Sequence, residues 1–158
     1  MVFYWSCAKY EHRNIQYIYD SVGTKLRKIV SSGATTNYAG NYIYDGSSLK
    51  FFNHGEGYIE PDGSGGYDYV YQYKDHLGNI RLSYKNVGST STLSLQIQEE
   101  NNYYPFGLKH KGYNNNPLTN HPYKYNGKEL NEALGYNVYD YTARHYDPAI
   151  GRWLQLDP

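Results

Sequence analysis

Tyrosine alternating with apolar residues, then interrupted by Asp and a glycine turn, is the feature that most restricts how this chain can fold. In Tyr17-Ile-Tyr-Asp-Ser-Val-Gly-Thr-Lys-Leu-Arg-Lys-Ile29, Tyr17 and Tyr19 fall on one face of an extended segment. Asp20 to Gly23 supply turn chemistry, and Leu26 with Ile29 begin a return strand, so the segment predicts a hairpin. Tyr42-Ile-Tyr-Asp-Gly46 repeats the opening, with Phe51, Phe52 and Tyr58-Ile59 as later strand residues. Tyr69-Val-Tyr-Gln-Tyr73, Asp75-His-Leu-Gly-Asn79 and Ile80-Arg-Leu-Ser-Tyr84 form a third copy with the cleanest alternation. Tyr71 and Tyr73 are accordingly expected to be buried. The copies recur about every twenty-five residues, a spacing found in repeat architectures whose hairpins stack on their neighbours.

The interior must be built largely from tyrosine, because the 158 residues include 22 Tyr but one Met and one Cys. A tyrosine ring buries a large apolar area while its hydroxyl still needs a partner, which suits a pleated sheet. Fifteen basic and fifteen acidic residues cancel, and no run of like charge offers the footprint of a duplex-binding surface, so nucleic acid is not an expected partner. Cys7 is alone, which excludes an intrachain disulfide. The apolar opening from Met1 to Ala8 has no basic region before it and stops at Lys9. It reads as a strand or a ragged start and not as a signal peptide. No stretch approaches the roughly 20 apolar residues that span a bilayer.

Pro61-Asp-Gly-Ser-Gly-Gly66 is turn-rich and predicts a break between residues 1–66, with their degenerate hairpins, and residues 67–158. Leu108 to Pro122, which includes Tyr113, lacks periodicity and predicts a surface loop. Leu93-Ser-Leu-Gln-Ile-Gln98 alternates strictly and predicts a half-buried strand. The only helical pattern is Lys128 to Leu134, closed by Gly135. The expected fold is therefore all-β, with stacked antiparallel hairpins and at most one short helical turn.

Five motifs then occur in order over residues 67–158: Asp75-His-Leu-Gly-Asn79, Tyr104-Pro-Phe-Gly107, Tyr125-Asn-Gly-Lys-Glu129, Tyr141-Thr-Ala-Arg-His-Tyr-Asp-Pro148, and Gly151-Arg-Trp153 running to Asp157-Pro158. In this order they resemble the Rhs repeat-associated core domain, and the Tyr17 and Tyr42 copies resemble the YD repeats that precede it. The resemblance implies a strip of β-shell, closed at one end by the core, that encloses a C-terminal toxin or effector outside the cell or at its surface. Its expected partners are the remainder of such a shell, or further copies joined through open strand edges. Several members of the family resemble aspartic autoproteases, which maps the carboxylates onto Asp147 and Asp157, with Arg144 and Arg152 beside them. Two nearby carboxylates divide acid and base roles because both do not ionise cheaply, and guanidinium groups can orient one of them or stabilise an oxyanion. The sequence stops at Pro158, before the bond the family cuts. The expectation is a truncated, non-catalytic structural fragment that does not cleave itself.

Other readings compete at each motif. Asp75 and His76 could begin a metal site, but Asp75, His76, Gly78 and Asn79 have turn chemistry. The six histidines show no zinc-ligand spacing, so neither metal nor cofactor is expected. Pro105, Phe106 and Gly107 read as a strand end redirected around a buried Phe106. Asn126-Gly127-Lys-Glu129 reads as a tight turn, and Gly151 as another. Inter-strand salt bridges are an equal alternative for Arg144, Asp147, Arg152 and Asp157. A third function, sugar binding by exposed tyrosine faces, is compatible with the composition.

Overall fold

The structure, a computed structural model, describes the backbone of residues 3–8 and all of residues 14–89, 91–111, 118 and 121–156. Asp157, Pro158 and Tyr113 lie outside the described residues.

Short extended segments joined by tight turns pair with their chain neighbours and build a meander. β1 (Phe3–Ala8), β2 (Asn14–Tyr19), β3 (Lys25–Val30), β4 (Thr35–Ala39), β5 (Tyr42–Asp45), β6 (Ser48–His54), β7 (Gly57–Pro61), β8 (Tyr67–Lys74), β9 (Ile80–Asn86) and β10 (Leu95–Glu100) form one ten-stranded antiparallel sheet in chain order. A second, four-stranded antiparallel sheet follows: β11 (Glu129–Asn131), β12 (Val138–Asp140), β13 (His145–Asp147) and β14 (Arg152–Trp153). The protein is all-β. No helix among the described residues is long and apolar enough to cross a membrane.

Three Asp residues at strand ends have a local task. Asp20 Oδ1 accepts the Val22 and Thr24 N–H groups at 2.9 and 2.8 Å, and Asp62 Oδ1 accepts those of Ser64 and Gly66 at 2.8 and 2.9 Å. Asp75 Oδ1 accepts those of Leu77 and Asn79, both at 3.0 Å. One carboxylate oxygen thus closes each of three hairpin loops through the same i to i+2 and i+4 donors. Asp62 sits in the stretch where sequence predicted a break. That stretch is a hairpin turn, with Glu60 opposite Asp68 and Pro61 opposite Tyr67.

Directly paired residues in an antiparallel ladder share a face, and the two faces of the large sheet are unlike. Inward, Ile43, Phe51, Tyr58 and Val70 form one buried cluster, joined by Tyr38 and Tyr123. Ile15, Tyr17 and Val30 form another, joined by Tyr19, Ala133 and Tyr136. Outward stand Tyr67, Tyr69, Tyr71 and Tyr73, which are 58%, 56%, 38% and 64% exposed. Tyr71 and Tyr73 are therefore not buried, because β8 turns Asp68, Val70 and Gln72 inward instead. Leu95 and Ile97 also face outward, while Gln98 and Glu99 are buried. A register shift between Ile97 and Glu99 is a bulge that sends two successive side chains inward. The predicted helix at 128–134 is strand β11 followed by a single 3-10 turn, Ala133–Gly135. Pairing of Glu129–Asn131 with Val138–Asp140 outweighs a helical preference that seven residues cannot sustain.

Candidate functional site

The chemistry of this chain is concentrated where the small sheet meets the inner face of the large one. Glu129 and Asp140 are opposite each other on β11 and β12, an arrangement that repels when left alone. Lys25 on β3 donates to both, at 2.5 Å to Glu129 and 2.6 Å to Asp140, and Lys28 donates to Glu129 at 2.8 Å. The Tyr38 hydroxyl adds a hydrogen bond to Glu129 Oε1 at 2.8 Å. Two cations therefore meet two anions in a buried group without net charge. Tyr38 belongs to one apolar cluster and Lys25 lies 5.9 Å from the Tyr17 ring of the other, so the ions lie between the two. Burial pushes the Glu129 carboxyl up, but Lys25 and Lys28 outweigh it and hold the group at about 2. Glu129 is thus a fixed anion near neutral pH and not a proton donor. Burial and the same carboxylates push the Tyr17, Tyr19 and Tyr38 hydroxyls up.

A second ionic group closes the other end. Lys124, 1% exposed, pairs with Glu99, 2% exposed, and Lys109 reaches the same carboxylate at 3.0 Å. Burial lowers the Lys124 ammonium, and Glu99 restores only part of the loss. Beside it, His121 stacks on Tyr58 with ring centroids 3.9 Å apart and packs on Phe51 at 4.6 Å. Burial, with Lys124 adding to it, pushes the His121 imidazole down to about 3, and burial lowers His145 too. A histidine with a folded pKa below its unfolded value near 6.5 contributes stability that is complete above pH 6.5. That stability is lost as pH falls toward the folded pKa. Unfolding free energy from urea titrations is expected to fall between pH 7 and pH 5, with a slope approaching about 1.4 kcal/mol per pH unit from His121 alone, and His121→Phe should remove that contribution. A free energy flat over that range would contradict a buried neutral His121.

Two turn motifs far apart in sequence are docked on each other. Asn79 donates its side-chain amide to Asp75 Oδ2 at 2.8 Å, and its own Oδ1 accepts the Asn126 N–H at 2.8 Å. Gly78 lies against Asn126, and Gly127 lies against the Gly78 carbonyl. His76 is exposed on the same turn. Among the described residues no group of three His, Cys, Asp or Glu is placed to hold a metal ion.

The turn at Pro105, Phe106 and Gly107 is held by its backbone. The Tyr146 hydroxyl donates to the Phe106 carbonyl and the Tyr139 hydroxyl to that of Gly107, each at 3.1 Å. Phe106 is 64% exposed, contrary to the burial expected from sequence. With its carbonyls turned to the small sheet, the ring is left outside, over Gly151, where an added Cβ would meet it at 3.2 Å. Gly107 is irreplaceable by two criteria: its φ is +84°, and a Cβ would stand 2.6 Å from the Tyr125 ring.

Of the four residues mapped to a protease, two are cross-strand neighbours and a third stacks on an adjacent ring. Asp147 and Arg152 are opposite each other on β13 and β14, and the Arg144 guanidinium lies 4.2 Å above the Trp153 ring. Asp147 Oδ1 accepts the Ala149 N–H at 2.8 Å, which caps its own turn. Asp157 is outside the described residues. Sequence reasoning missed Lys25, Lys28, Glu99, Lys124, Asp140 and His121 as chemical residues. Glu129 lay within a quoted motif, but its lysine partners are more than a hundred positions away.

No family model matches the chain. Over 84 residues, 53% of this chain, it is 42% identical to salivary gland surface protein 1 of Aedes aegypti, covering 2% of that protein. Over 156 residues, 90% of this chain, it is 29% identical to the tRNA3(Ser)-specific nuclease WapA of Bacillus spizizenii, covering 6%. Toxin subunit YenC1 of Yersinia entomophaga is 34% identical over 85 residues, 50% of this chain and 8% of YenC1. Among solved structures, TcdB2-TccC3 without its hypervariable C-terminal region superposes on 96% of the chain with a TM-score of 0.66 at 22% identity, and the chain covers 8% of it. The chain therefore spans under a tenth of the length of each of these proteins.

Proposed function

We propose that this chain is a structural, non-catalytic section of a toxin-associated β-shell of the Rhs/YD-repeat kind, acting outside the cell or at its surface. Residues 1–66 would be repeat hairpins, and residues 67–158 the core that closes them. The observation that carries this reading is the small sheet locked onto the inner face of a repeat sheet by Lys25, Lys28, Glu129 and Asp140. Ions spent on each other and held without net charge hold architecture in place and leave no free acid or base. The likeness to TcdB2-TccC3 and YenC1 supports the same role, with the remainder of a larger shell as partner. The nuclease named for WapA is a weaker guide, since balanced charge without a basic run is poorly suited to tRNA.

The competing reading is an autoprotease using Asp147 and Asp157 with Arg144 and Arg152, favoured by the pairing of Asp147 with Arg152 across β13 and β14. The test is a polypeptide in which a reporter continues the chain past Pro158. A scaffold keeps its reporter attached, and intact mass is unchanged after long incubation across the mildly acidic to neutral range. Release at one site, abolished by Asp147→Asn and by Asp157→Asn, would overturn the non-catalytic reading.

A further inference from the structure

The large sheet carries apolar side chains on both faces. Its covered face holds the two core clusters together with Gln98, Glu99 and the four-ion group, whereas its open face over β8 to β10 carries Tyr67, Tyr69, Tyr71, Tyr73, Leu82, Tyr84, Leu95 and Ile97. Between Tyr67 and Tyr73, Leu82 and Asn86, and Leu95 and Ile97, that outer face has no charged side chain, because Asp68 and Lys85 pair with each other on the inner side. An aromatic side chain presents about 150–250 Å², so the exposed fractions of the four β8 tyrosines leave roughly 400 Å² open. Leu95 and Ile97, 59% and 53% exposed, with Leu82 and Tyr84, extend the patch toward the about 800 Å² per partner of a standard interface. Monomers rarely leave so much contiguous apolar surface uncovered.

We propose that this face packs against the same face of a second copy of the chain, forming a two-layer sheet sandwich about a twofold axis. The area approaches one side of a stable dimer. The charge bordering the β8 to β10 patch is Glu100, opposite Leu82, so the tyrosine and leucine surface meets its own copy with little repulsion. Ring geometry favours a protein layer over a sugar. Tyr71 and Tyr84 stand stacked with centroids 5.8 Å apart and planes 25° apart, and Tyr42 stacks on Phe52 at 5.0 Å. Rings standing in stacks present edges, which interdigitate with another sheet's side chains at about 10 Å separation, whereas sugars take flat ring faces. The edge of β10 is a poorer site for a copy, since Leu118 already donates to the Gln98 carbonyl at 2.8 Å.

Sedimentation velocity on the whole chain, from low to high micromolar, tests this. The expected result is a reversible monomer–dimer equilibrium that Tyr71→Lys combined with Ile97→Lys weakens by at least about tenfold, while far-UV circular dichroism and the urea midpoint of the monomer hold. Hydroxyl-radical footprinting of the unmodified chain removes dependence on that variant. Tyr67, Tyr69 and Tyr73 should be protected at high concentration, with Val22 and Leu77 on loops as unprotected references. A monomer at every concentration overturns the proposal. So does association that survives the face substitutions but is lost with Gln96→Pro on β10, or protection of the tyrosines by soluble oligosaccharide in a monomeric sample.

Discussion

Glu129→Gln is expected to destabilise the protein by about 3–5 kcal/mol, the range for removing one partner of a buried ion pair. The amide keeps the shape and the Tyr38 hydrogen bond, so the loss is electrostatic. Lys25 retains Asp140 at 2.6 Å, but Lys28, whose contact is Glu129 Oε1 at 2.8 Å, is stranded in a buried site. A second substitution, Lys28→Met, should recover a large part of the loss by removing the orphaned ammonium. Urea titrations of the two single variants and the double variant at pH 7 provide the check. Purely additive losses would mean that the four ions are not one group.

Tyr58→Ala is expected to cost about 3–5 kcal/mol, as for other large buried aromatics, whereas Tyr73→Ala should cost under about 1 kcal/mol. Tyr58 is fully enclosed and packs in one cluster with Phe51 and His121, which also touch each other. Tyr73 stands 64% exposed on the opposite face of the neighbouring strand pair. Measured at low concentration, to keep association out of the comparison, equal losses at the two positions would reverse the assignment of the faces.

The contrast marks how far the sequence could be read. Alternation at Tyr17, Tyr42 and Tyr69, each run followed by Asp and a turn, gives strands and hairpins, because period two and loop chemistry are local properties. It does not say which of the two faces is covered. At β8 the more apolar set, Tyr69, Tyr71 and Tyr73, would be placed inside by any hydrophobicity argument, yet Val70 and Gln72 go in because the cover brings polar partners, among them His121. A bulge at Gln98 likewise inverts an alternation that seemed unambiguous. The Asp75 and Tyr125 motifs were visible as turns, but the Asn79–Asn126 contact joining them was not. The four-ion group was invisible for the same reason: Lys25 and Lys28 look like solvent-facing charges on a strand until a carboxylate more than a hundred residues later is laid over them. At Asp147, Arg144 and Arg152, pattern showed proximity along the chain but not whether the groups cap, stack or react.

The strict chain order of the ten-stranded sheet also fixes a sequence of events in time. Each strand pairs with the one before it, so the sheet can zip up hairpin by hairpin with small loop-closure costs. The contacts from Lys25 to Glu129 and Asp140 close loops of 104 and 115 residues, and they become available only when the small sheet exists. On a chain emerging from its N-terminus, the repeat sheet is therefore laid down with Lys25 and Lys28 still in water, and their desolvation is the last step. Folding should accordingly be biphasic, with a fast phase insensitive to Glu129→Gln and a slow phase that the substitution retards.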